Sequence, residues 1–289
     1  MNTPPRSFEL RSNRQRVWIT FVRNRAAVVG LLLAALITIL SAGSPLIARQ
    51  DPLAQFPSDR LLPPNAEHVL GQDAFGRDVL ARLLYAGRIS LIVGLCSVLL
   101  GGTIGSVMGL VAGYSGGGLE NVIMRVVDVL MAFPSLLLGI TVLAVLGSGL
   151  DKMILTVGIL LSPAFARVVH GNTLSIREQE FVEAARCIGA GRQRILFLHI
   201  LPNILGDILV LASLWTASAI RTEASLSFIG LGVSPPTPTW GNMIREGAVQ
   251  LINAPWLSVF PGLAILITVL AFNLLGDGLR DVFDPRLQM

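Results

Sequence analysis

The chain has 289 residues, of which 53% are hydrophobic and 14% charged, with a net charge of +4 and a mean hydropathy of +0.69. Soluble domains carry about 25% charged residues, so this depletion excludes an ordinary soluble domain and indicates a polytopic membrane protein. The positive charge is almost all arginine, Lys152 being the lone lysine, and its clustering in particular loops reads as membrane topology rather than nucleic-acid binding.

Residues 1–25 are polar and hold Arg6, Arg11, Arg14, Arg16, Arg23 and Arg25. The apolar run that follows, from about Ala26 to Ile47, is too long for a signal-peptide core and reads as a first membrane helix with its arginine-rich end in the cytoplasm. Residues 48–87 are then an outside segment broken by Pro52, Pro57, Pro63 and Pro64. Gly71 and Gly76 suggest turns there. Asp73, Arg77 and Asp78 are placed for a local ion-pair network, and His68 reads as structural.

A second span is expected from about Ile89 to Ala112. Gly101, Gly105, Gly109 and Gly113 recur every four residues after Ser97. On a helix they form a ridge of small residues that a second backbone can approach closely. The third span, roughly Asn121 to Leu146, has Arg125 and Asp128 at i, i+3 near its cytoplasmic end, which reads as a locally neutralised pair. Intramembrane charge also makes both pathway candidates. Pro134 should kink this span, and Pro163 should interrupt the fourth, about Met153 to Val169.

The stretch Ser175–Asn203 is strongly charged between apolar runs. Five arginines between Arg167 and Arg194 place it in the cytoplasm. Glu178 to Ile188 lacks Gly and Pro and reads as a helix, with Gly189 placed as its C-terminal cap. Arg192 to Ile200 reads as a second helix, and Pro202 begins the next element. The fifth span, about Ile204 to Phe228, carries Arg221 and Glu223, which at i, i+2 do not face each other. Each needs a partner elsewhere, and pathway lining and plain packing both remain open. An outside loop follows to about Pro255, with Trp240 and Trp256 as interfacial anchors. The sixth span runs from about Leu257 to Leu275, and a cytoplasmic tail closes the chain.

Catalytic signatures are absent. There is no G-x-x-x-x-G-K-[ST] phosphate loop, no G-x-S-x-G elbow and no H-E-x-x-H pair. His68, His170 and His199 are scattered, and Cys96 and Cys187 form neither a disulfide framework nor a zinc spacing. The expectation is a non-catalytic subunit with no cofactor or metal of its own and no nucleic-acid partner.

Glu183-Ala184-Ala185, then Gly189 after three intervening residues, then Leu201-Pro202, resembles the E-A-A loop of permeases of ATP-driven (ABC) importers. His199 stands where that pattern usually has Ile. H-V-L-G-Q-D-A-F-G-R-D-V-L from His68 resembles the outside loop of the dipeptide, oligopeptide and nickel branch, with Gln72-Asp73 where Thr-Asp is frequent. A-S-L-S-F-I-G-L-G, P-P-T-P-T-W-G and A-F-N-L-L-G-D-G-L-R-D-V-F-D-P-R are similar to the same branch, specifically its C-type subunit.

The resemblance implies an all-α membrane protein of the type I importer permease fold, with six transmembrane helices and both termini cytoplasmic, in a bacterial inner membrane. It implies residues 1–87 as tail, first span and outside loop, 88–278 as a five-helix core with coupling helices at about 178–200, and 279–289 as a cytoplasmic tail. It further implies a second homologous permease, two ATPase subunits that bind ATP and Mg²⁺, and an extracytoplasmic solute-binding protein. Glu183, Ala184, Ala185, Gly189, Leu201 and Pro202 would couple to the ATPases. Di- or oligopeptides are the expected solute; nickel or glutathione import, or a gradient-driven carrier, are the alternatives.

Overall fold

The computed structural model describes residues 21–283; Arg6, Arg11, Arg14, Arg16 and residues 284–289 lie outside them. Among the described residues, regular structure is helical apart from one isolated bridge between Gln72 and Asp78. The helices are α1 (Arg25–Ala42), α2 (Ser44–Ile47), α3 (Val79–Ser115), α4 (Gly117–Ala132), α5 (Ser135–Leu146), α6 (Leu150–Arg177), α7 (Glu180–Cys187), α8 (Arg192–Arg194), α9 (Leu201–Ile229), α10 (Trp240–Ala248) and α11 (Trp256–Phe283). Among the described residues, five helical segments are long and apolar enough to cross a membrane, or six if the bent pair α4–α5 counts as one span.

The glycine ridge organises the core. α3 and α6 run together along most of their length. A β-carbon at Gly101 or Gly105 would run into the carbonyl oxygens of Gly158 or Ser162, and one at Gly109 would lie 2.5 Å from that of Ala166. Small residues at i, i+4, i+8 therefore let the two backbones touch, and Ser97 Oγ adds a hydrogen bond to the Ile154 carbonyl at 3.1 Å. α9 packs on both α3 and α6, α11 on α9, and α1 on α11. Apolar clusters fill three levels, one around Trp240, Ile220 and Leu257, one around Phe165, Met153 and Leu226, and one around Val182, Ile195 and Ile204.

Several expectations are corrected. Pro163 does not interrupt its span, since α6 continues from Leu150 to Arg177 with the proline inside it. Pro134 does more than kink the third span: Phe133 is extended, and α4 and α5 meet at 97°. The second arm of the charged hairpin is not a separate helix. α8, a π-helical stretch Ile195–Ile200 and α9 form one unbroken run, Arg192–Ile229. Pro202 has no N–H for the i→i−4 ladder, and the wider π turn just before it absorbs that gap. Trp240 is no interfacial anchor, being 2% exposed with its Nε1 donating to the Leu83 carbonyl at 3.1 Å. The supposed loop to Pro255 contains α10, whose N-cap Thr239 accepts from the Asn242 N–H at 3.2 Å. Leu279–Phe283, read as tail, belongs to α11.

Candidate functional site

The charged hairpin stands at one end of the helical bundle. α6 stops at Arg177, and extended Gln179 turns the chain into α7. Val182 and Ala185, three residues apart, share the inward face and pack with Leu110, Val169, Ile195 and Ile204. Phe181, Glu183, Ala184, Arg186 and Cys187 point outward, and Ile188 is 85% exposed. Ala190 N–H donates to the Ala185 carbonyl at 3.0 Å and Gly189 N–H to that of Arg186 at 2.9 Å, closing a Schellman motif. Gly189 has φ +82°, and a β-carbon there would meet nothing, so backbone conformation rather than space requires glycine.

Three arginines tie this hairpin to the end of α3. Arg186 and Arg192 stack over the Tyr114 ring at 5.4 and 5.6 Å. Arg192 also donates to Ser115 Oγ, and Arg177 Nη1 to the Gly113 carbonyl at 2.6 Å. Glu178 takes the Arg177 Nε at 2.9 Å, whereas Glu180 and Glu183 form no ion pair among the described residues. Of the six residues expected to couple, Glu183, Ala184, Gly189 and Pro202 are exposed, Leu201 is half-buried, and Ala185 is buried rather than outward-facing.

At the opposite end, the 68–80 loop does form an ion-pair network, and it is larger than the sequence indicates. Arg77 Nε donates to Asp73 at 2.6 Å and Arg77 Nη2 to Glu246 at 2.7 Å. Arg82, 2% exposed, donates to the same Glu246 oxygen at 2.9 Å and lies 3.4 Å from Asp73. His68 Nδ1 meets Asp78 at 2.9 Å, while the other oxygen of Asp78 caps α3 through the Ala81 N–H at 2.7 Å. Gly71 and Gly76 are turn residues with positive φ, as expected. Sequence reasoning missed Arg82, Glu246 and Tyr114. Thr239 ahead of a run without proline was the available signal for α10, and so for Glu246.

Between the two ends lie the intramembrane charges. Arg125 and Asp128 do not pair: Asp128 takes Arg167 of α6 at 2.5 Å, and Arg125 is exposed. Glu223 is 0% exposed and accepts from Ser90 at 3.0 Å and Ser227 at 2.7 Å. It thereby joins α3 and α9. Arg221 is exposed and donates to Ser218 Oγ at 3.2 Å. A cavity of about 300 Å³ opens beside it, lined by Phe133, Ser135, Pro163, Trp215, Ser218 and Thr222 among others. No group of acids, histidines and cysteines fit to hold a metal ion occurs among the described residues.

Two family models match the chain. One is described as a binding-protein-dependent transport system inner membrane component and covers residues 105–289; the other, the N-terminal TM domain of oligopeptide transport permease C, covers residues 12–64. The chain belongs to the binding-protein-dependent transport permeases. It is 44% identical to the glutathione transport system permease protein GsiD of Pectobacterium atrosepticum over 98% of this chain and 94% of that protein. GsiD of Escherichia coli O157:H7 is 44% identical over 97% and 93%, respectively. The dipeptide transport system permease protein DppC of Alkalihalophilus pseudofirmus is 41% identical over 92% and 88%. The fold is that of a permease in an inward-facing structure of the MetNI methionine ABC transporter, at TM-score 0.59 and 20% identity over 70% of this chain and 96% of that one. This permease is thus a multi-pass inner membrane component of an ATP-driven importer.

Proposed function

We propose that the chain forms half of the translocation path for short peptides, with glutathione and dipeptides as the solute class, and couples that path to ATPase subunits through α7. The single observation that carries this reading is the α7 hairpin: a rigid, Schellman-capped unit whose outward face carries Glu180 and Glu183 without ion pairs while its inward face is apolar and packed. Charged groups held on a fixed surface without internal partners are what a protein docking site requires. Peptide cargo is supported by relatives named for glutathione and dipeptide transport.

On this reading α4–α5 is one broken span, the spans number six, and both termini and the hairpin are cytoplasmic. A homologous permease completes the path. Two ATPases bind ATP and Mg²⁺, and a binding protein delivers solute to the surface built from residues 48–78 and 231–255. Glu183, Ala184, Gly189 and Pro202 face the ATPase; Ala185 and Leu201 hold the hairpin in place from behind. The ion-pair network around Arg77, Arg82 and Glu246 keeps the receptor surface rigid. Asp128–Arg167 and Glu223 are structural ties, and Arg125 and Arg221 are the exposed charges left to the path. ATP-driven closure of the ATPases moves α7 as a rigid body and, with it, the spans.

The test is reconstitution with the second permease, the ATPases and the binding protein. ATP-dependent uptake of glutathione or a dipeptide is expected. Glu183→Arg and Gly189→Pro each lower coupled uptake by about tenfold or more, since the loss of one charged interface contact is worth at least that. Coupled uptake that persists in both variants overturns the coupling assignment, and uptake by this chain alone on a proton or sodium gradient overturns the importer reading.

A further inference from the structure

α9 carries Ser218, Arg221, Thr222 and Ser225 at i, i+3, i+4 and i+7, a spacing that sets them on one face of the helix. All four are half-buried or exposed, whereas the residues between them, Glu223 included, are buried. The outward face of an apolar span is therefore polar. A face like that does not suit lipid, because intramembrane arginines turn to a bundle interior or a water-filled cavity. The hydroxyls Ser218 and Thr222 line the cavity of about 300 Å³, a volume at the lower end of small-ligand sites. The hydrogen bond from Arg221 to Ser218, 3.2 Å long, brings the guanidinium to the cavity rim. No carboxylate pairs with Arg221 among the described residues. Two acids of the spans are engaged elsewhere, Asp128 by Arg167 and Glu223 by hydroxyls.

Building on the importer reading, we propose that Arg221 is a carboxylate subsite of the translocation path, taking the free C-terminal carboxylate of a short peptide as it crosses. The guanidinium offers a planar fork of donors that fits a carboxylate with two parallel hydrogen bonds. Ser218 and Thr222 supply polar contacts beside it, and Phe133 and Trp215 form an apolar wall for the rest of the peptide. Arg221 lies on the surface of the chain rather than in its core, so the contact draws the anion in and still releases it, the condition for conduction through any site.

The experiment uses the complete transporter in proteoliposomes and compares a dipeptide with the same dipeptide as its C-terminal amide. Each is supplied at a concentration that saturates the binding protein, so that the permease step limits the rate. The native transporter is expected to carry the acid faster than the amide by about tenfold, the worth of one charge-assisted hydrogen bond. R221Q brings that ratio to about one by slowing the acid, and R221K restores part of it, since lysine keeps the charge and loses the fork. An acid-to-amide ratio unchanged in R221Q overturns the subsite. So does an equal loss for both substrates, the result expected if Arg221 anchors a lipid phosphate or merely packs. Failure of the native transporter to carry either peptide overturns the peptide-importer reading itself, and the subsite with it.

Discussion

The two ends of the molecule handle charge in opposite ways. At the loop end, Asp73, Arg77, Arg82 and Glu246 pair with one another, with His68 and Asp78 paired beside them, and most of these side chains are buried. At the hairpin end, apolar packing and a helix cap hold α7 in place, and Glu180 and Glu183 are left exposed without ion pairs. A surface whose charges are internally spent is stiff and offers shape. One whose charges are unspent offers recognition. The contrast sets a stiff, internally paired plate at one end against a hairpin that keeps uncompensated charge on its surface at the other.

Arg82→Ala should give the largest effect on stability. It leaves Glu246 with one cation fewer and Asp73 partly uncompensated, and removing one partner of a buried ion pair costs about 3–5 kcal/mol. A clear drop in the thermal unfolding temperature of the detergent-solubilised transporter is expected; an unchanged temperature would dissolve the picture of a stiff plate. Gly189→Ala comes next, because an L-residue at φ +82° costs about 1–2 kcal/mol. The cost should appear as faster hydrogen exchange confined to residues 180–195, with the loop end unaffected. Glu183→Arg sits at the bottom of the scale. An exposed, unpaired side chain away from packing changes stability by no more than about 0.5 kcal/mol. Its unfolding temperature should match the native one while ATPase co-purification is lost, and a destabilised variant would mean that Glu183 serves the hairpin rather than a partner.

Legibility in the sequence followed the range of the interactions. The glycine ridge was readable because a four-residue repeat of small side chains has one physical use on a membrane helix, and α6 meets it there. The α7 helix and its Gly189 cap were readable because a Schellman motif is local. Asp73–Arg77, four residues apart, was readable for the same reason. The pairing of Arg82 with Glu246 was not, since nothing local links α3 to α10. Neither was the choice of Asp128 for Arg167 over Arg125. Helical spacing permits Arg125 as a partner, but tertiary packing brings α6 closer. Pro163 misled because a proline removes one hydrogen bond, a loss that a helix packed along its length against α3 tolerates. Trp240 misled because amphipathic rings favour interfaces on average, while this one found the Leu83 carbonyl inside the fold.

The unbroken run from Arg192 to Ile229 also has a mechanical meaning. At about 1.5 Å per residue it is a rod nearly 60 Å long, longer than a bilayer is thick. Its near end is pinned under Tyr114 by Arg192, and its far half carries Arg221 and the Glu223 knot. A rod held at one end and tilted there sweeps its other end through the larger arc. A tilt of about 5° at the hairpin displaces the Arg221 level by roughly 4 Å, over the roughly 43 Å between them. The geometry thus gears a small stroke at the hairpin up to a movement of molecular size at the Arg221 level, with the ratio set by helix length.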